Sequence, residues 1–108
     1  KETMHVPYIS GCCMFFRTSV FNDIGYFDEN IFMHMEDTDI SRRVNQKYDT
    51  VMFNDIIVFH KWEKGTYKSR KMKILTMKSA IYYFNKWGWF FDAERRKVNK
   101  KIEKNYIL

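Results

Sequence analysis

The sequence predicts a mixed α/β chain whose first part alternates strands with short helices and whose last part is helical. Three observations carry this expectation. Apolar runs of strand length, at 8–17, 48–53 and 56–60, are bounded by turn signals such as Asn54-Asp55. Between the first two runs lies a short helical pattern in which Ile40 and Val44 are spaced i,i+4, and stepping back by the same period reaches Glu36 and Asp37. Past residue 62 the strand pattern stops, and a helical period runs from about Arg70 to Lys86 and again through Val98 and Ile102. The expected division is therefore 1–62, the mixed part, and 63–108, a basic, aromatic-rich helical extension.

At 108 residues the chain has room for one domain with a modest core. A hydrophobic content of 45% with 19% aromatic residues excludes a disordered chain. No run approaches the roughly eighteen uncharged apolar residues of a membrane span. A start at Lys1-Glu2-Thr3, without methionine, leads us to expect a piece of a longer protein. The adjacent Cys12 and Cys13 make an awkward bridge and fit a reducing, cytosolic setting. The net charge of +6 is unevenly spread: residues 1–60 carry 5 basic and 9 acidic side chains, residues 61–108 carry 14 basic and 4 acidic.

In chain order, the first run, entered after Pro7, reads as a mostly buried strand. Its small residues Ser10, Gly11, Cys12 and Cys13 would admit either a ligand or simply another backbone. Thr18 or Ser19 caps a brief helical turn with Val20, Phe21 and Ile24 on its apolar side, and Gly25 ends it. Then comes 27–39, with Asp28, Glu29, Glu36, Asp37, Asp39 and His34 among large apolar side chains. Glu36 and Asp37 fall at a helix start, where free N–H groups stabilise carboxylates. They are candidates for a general base or cation-binding group; the bland alternative is an acidic N-cap with Asp39 pairing to Arg43. His60, at the end of the third run, reads as a surface histidine or as a ligand beside the acidic loop. In the tail, Ile74, Met77, Ile81 and Phe84 form one stripe, Trp87-Gly88-Trp89 breaks the helix as an aromatic elbow, and Asp92 caps the next one.

Taken together, Ser10-Gly11, Arg17, Gly25-Tyr26-Phe27-Asp28-Glu29, Phe32, Glu36-Asp37-Thr38-Asp39, Arg43 and His60 resemble, in order and spacing, the C-terminal half of the catalytic domain of a family 2 glycosyltransferase of the bacterial, rhamnosyltransferase-like kind. The resemblance covers about half of the chain. It implies a GT-A type, Rossmann-like fold and an inverting transfer of sugar from a nucleotide-diphosphate donor to a glycan or lipid-linked acceptor hydroxyl. In it Asp37 is the catalytic base, Glu36, Gly11 and Asp39 lie on the acceptor side, Arg43 and Asp28 support them, and His60 completes the coordination of a divalent ion, manganese or magnesium. The nucleotide-binding half with its Asp-x-Asp motif is absent, and Lys47-Tyr48 stands where Gly-Tyr is expected. The isolated chain is accordingly expected to be inactive, to hold no metal firmly, and to need the missing N-terminal half. The basic aromatic tail suggests peripheral contact with an anionic membrane at its cytoplasmic face. Two other classes remain. One is a nucleic-acid-binding module built on the tail, which the acidic first part disfavours; the other is a domain that self-associates through apolar surface.

Overall fold

The computed structural model describes residues 3–63 and 68–106. Its elements are β1 (Thr3–His5), α1 (Val20–Ile24), α2 (Glu36–Asn45), β2 (Val51–Phe53), α3 (Arg70–Trp87) and α4 (Ala93–Glu103). The sheet has two strands, β1 and β2, which run antiparallel with Thr3 opposite Phe53, Met4 opposite Met52 and His5 opposite Val51.

This corrects the expected fold class. A GT-A, Rossmann-like domain requires a parallel sheet, and the described residues form a mostly helical structure with one short antiparallel pair. The run 8–17 is irregular with a turn at 11–13, and 56–60 has no strand ladder. The physical reason is pairing. A strand persists only where its N–H and C=O groups find a neighbouring strand, and apolar alternation cannot supply one. Ile56, Ile57, Val58 and Phe59 consequently lie exposed, Phe59 at 96%.

The helices follow local chemistry more closely. Gly25, at φ 75°, ends α1 in a backbone region that favours glycine, and its N–H donates to the Phe21 carbonyl at 2.9 Å. Asp92 caps α4 by accepting from the Arg95 N–H at 2.9 Å. The core gathers Ile31, Ile40 and Val44 with Tyr83, Val98 and Ile102, so α2 is the element against which the tail packs. On α3 the buried positions are Ser79 and Tyr83; of the expected stripe, Ile74, Met77 and Ile81 are exposed and Phe84 is half-buried. Polar anchoring decides this face: Ser79 Oγ accepts from the Met33 N–H at 3.3 Å, and Tyr83 Oη accepts from the Arg42 guanidinium at 2.9 Å.

One buried ion pair clamps the tail to α2. Arg42 grips Asp92 with two hydrogen bonds of 2.6 and 2.5 Å, and its guanidinium lies over the Trp87 ring at 4.3 Å. The Arg42 hydrogen bond holds the Asp92 carboxyl below its usual range against the opposing effect of burial.

Candidate functional site

The acidic start of α2 is entered through His34 and Met35, both in the left-handed backbone region at φ 58° and 66°. Neither is glycine, so the turn is held by its surroundings rather than by local preference. It delivers Glu36 and Asp37 to the first turn of the helix, as the periodicity of Ile40 and Val44 requires.

Asp37 is half-buried and fixed by donors from two parts of the chain. Its Oδ2 accepts from Tyr8 Oη at 2.6 Å and from the Gly11 N–H at 2.9 Å, and its Oδ1 accepts from the Thr38 N–H at 2.8 Å. Gly11 is needed for this approach, because a Cβ there would stand 3.3 Å from Asp37 Cβ and 3.4 Å from Oδ2. Burial and then the Asp37 carboxylate push the Tyr8 phenol up to about 12, so Tyr8 stays protonated and keeps donating. Oδ1 also meets the Thr38 hydroxyl, at 3.5 Å a contact long enough to yield to a better donor. Beside it, Glu36 Oε2 is buried with no hydrogen-bond partner among the described residues.

The other acids of the segment are engaged differently. Asp39 is completely buried. Its Oδ2 meets Arg43 Nε at 2.9 Å, and its Oδ1 meets Trp87 Nε1 at 2.7 Å and Lys86 Nζ at 2.8 Å. Arg43 also donates to the carbonyls of Ile24 and Tyr26, at 2.6 and 2.8 Å, and so ties the end of α1 to α2. Asp28 pairs with Lys86 at 2.8 Å and accepts from the Asn30 backbone and side chain. Burial opposes its ionisation, but these donors together hold its carboxyl well below the usual range.

The structure thus brings Gly11 and Asp37 into contact with Glu36 alongside, and sets Asp39, Arg43 and Asp28 in a separate charged network with Lys86. His60 lies exposed in the irregular stretch after β2. No group of three or more His, Cys, Asp or Glu side chains among the described residues could hold a metal ion. Asp37 Oδ2 is taken by two hydrogen-bond donors, and Asp39 is taken by cations. Among the described residues no ligand set for a divalent ion is assembled around His60.

Two contributors escaped the sequence. Tyr8 carried no signal beyond following Pro7. Trp87 read as a helix breaker, whereas its indole N–H is a donor to a buried carboxylate.

No family profile and no solved structure matches the chain. Two curated relatives do match: the N-acetylglucosaminyl-diphospho-decaprenol L-rhamnosyltransferases of Mycobacterium tuberculosis strains CDC 1551 and H37Rv, each 44% identical over 41 residues. Part of this chain is distant kin to a sugar transferase. The matched stretch is 38% of the chain and 13% of each relative, so the kinship is one of family over a limited segment. Among the described residues no helix is long and apolar enough to cross a membrane.

Proposed function

We propose that this chain is the acceptor-side portion of an inverting glycosyltransferase, with Asp37 as the general base. The reading rests on one observation above the others: Asp37 is pinned through Oδ2 by Tyr8 and Gly11, while Oδ1 meets the Thr38 amide firmly and the Thr38 hydroxyl at 3.5 Å, a long contact that a substrate hydroxyl can displace. A base must be oriented before the proton moves, and a carboxylate held from two chain segments has little freedom to turn away. In the reaction, Asp37 Oδ1 takes the proton of the acceptor hydroxyl. The hydroxyl oxygen forms its bond to the sugar's anomeric carbon, and the nucleoside diphosphate departs with the electron pair of the bond that breaks. Glu36, whose Oε2 lacks a partner among the described residues, orients the acceptor by accepting from a second hydroxyl.

The relatives are named for rhamnose transfer onto a diphospho-decaprenol-linked N-acetylglucosamine. For this chain a nucleotide-diphosphate sugar donor and a glycan or lipid-linked acceptor are the corresponding proposal. The donor cradle belongs to polypeptide outside these 108 residues. The test has two arms. Calorimetric titration of the chain with UDP-, GDP- and TDP-sugars, with manganese or magnesium, should show no micromolar binding. In the longer polypeptide that contains the chain, Asp37→Asn should lower turnover about a hundredfold or more with donor affinity little changed. Near-normal turnover in that variant, or tight donor binding by the chain alone, would overturn the assignment.

A further inference from the structure

The corner between α3 and α4 presents two phenylalanines to solvent from a backbone that is held on every side. Phe90 is 81% exposed and Phe91 is 89% exposed. Flexibility does not explain this. Gly88, at φ 110°, closes the corner so tightly that a Cβ there would meet the Phe91 carbonyl oxygen at 2.8 Å, and its N–H bonds the Phe84 carbonyl at 2.8 Å. Trp89 stacks on Phe84 at 5.0 Å between centroids and donates to Asn85 Oδ1 at 2.9 Å. On the far side the next residue is Asp92, locked into the buried Arg42 pair. Both ends of the two-residue tip are anchored, so its apolar side chains cannot fold back into the core.

The charge around the tip gives its partner a sign. Residues 61–108 carry 14 basic and 4 acidic side chains. Three of those acids are already paired within the chain, Glu63 with Lys61, Asp92 with Arg42 and Glu94 with Lys97. Arg95 and Arg96 follow the tip within one helical turn, are exposed, and enter no ion pair among the described residues. We propose that the Trp89-Phe90-Phe91 corner, flanked by Arg95 and Arg96, is a wedge that docks on an anionic lipid bilayer. Aromatic side chains settle at the boundary between headgroups and acyl chains, and neighbouring arginines hold them there through the lipid phosphates. A single-stranded nucleic acid needs a groove along which successive bases stack, and the tip is a corner rather than a track, so it fits less well.

Sedimentation of the 108-residue chain with phosphatidylcholine vesicles, with and without phosphatidylglycerol, tests the wedge and needs no catalytic activity. The chain should sediment with the anionic vesicles and little with the neutral ones. Phe90→Ser with Phe91→Ser should weaken partitioning about tenfold or more, with circular dichroism and thermal unfolding unchanged. Phe90→Trp with Phe91→Trp should restore it, and Arg95→Gln with Arg96→Gln should remove the preference for anionic lipid. Absence of vesicle binding, or equal binding by the serine variant, overturns the proposal. So does a dimer, or retention on a single-stranded oligonucleotide, that depends on these two phenylalanines.

Discussion

Asp92→Asn separates two duties that one side chain performs. Asparagine is as good an N-cap as aspartate, so the bond from the Arg95 N–H survives, while the charge facing Arg42 is lost. Arg42 and Asp92 are 8% and 4% exposed at their side chains, so water cannot substitute for the missing carboxylate. Breaking a pair of this kind from one side costs about 3–5 kcal/mol, because the remaining charge stays buried. The asparagine carbonyl can still accept one bond from the guanidinium, which places the variant near the lower end, about 3 kcal/mol. Asp92→Ala forfeits the cap as well and belongs near the upper end. For a chain of this size about 3 kcal/mol corresponds to a fall in Tm of roughly 12 °C or more.

Urea and thermal unfolding of the wild type, Asp92→Asn and Glu94→Gln provide the measurement. Glu94 and Lys97 are 39% and 74% exposed, so the third protein should lose no more than about 0.5 kcal/mol. Acid adds a second check. Asp92 and Asp28 are both held below their usual range, so their contributions are present at neutral pH and fade as pH falls below about 4, through the folded-state values. Asp92→Asn should flatten that limb. A loss below about 1 kcal/mol, the worth of an exposed pair, would refute the reasoning.

Gly11→Ala should press on Asp37 and lengthen the hydrogen bond from the residue 11 N–H to Asp37 Oδ2; we expect about 1 kcal/mol of destabilisation and an upfield move of that amide proton, read by NMR. Tyr8 should titrate at about 12 and fall only part of the way toward the ordinary tyrosine range in Asp37→Asn, since burial, the larger cause, stays while the carboxylate that opposes phenolate formation goes; ring-labelled tyrosine NMR follows it directly. Ile57→Ser with Phe59→Ser should reduce concentration-dependent association in light scattering, because both residues stand in an exposed apolar run; unchanged association would show that this run is not the contact.

What could be read from the residues alone was local. Gly25 stops α1, Ile40 and Val44 set the phase that places Glu36 and Asp37 at the head of α2, and Asp92 opens α4. Each of these depends on a handful of consecutive residues. The parallel sheet was inferred from kinship and from apolar runs, and the described residues supply 56–60 with no strand to pair with. The buried face of α3 was misplaced for a related reason. Hydrophobic spacing pointed to Ile74, Met77, Ile81 and Phe84, of which the first three are exposed, whereas Ser79 and Tyr83 are the positions that hydrogen-bond to Met33 and Arg42. Periodicity ranks side chains by apolarity, and here distant polar partners decided the orientation. The Asp37 site shows the same division: its place on α2 was legible, while the donation from Tyr8, twenty-nine positions away, was not.

Asp39 has a consequence for how this polypeptide can be shortened. Its carboxylate lies one helical turn from Glu36 and draws two of its three partners, Lys86 and Trp87, from the last turn of α3. Proteolysis in the stretch between β2 and α3, followed by loss of the tail, would strand that charge in an opened core together with the Arg42 cation. The head of α2 would then have to unwind or recruit water to solvate it, and Asp37 sits within the same turn. The C-terminal helices are thus the counterweight that keeps Glu36 and Asp37 in position.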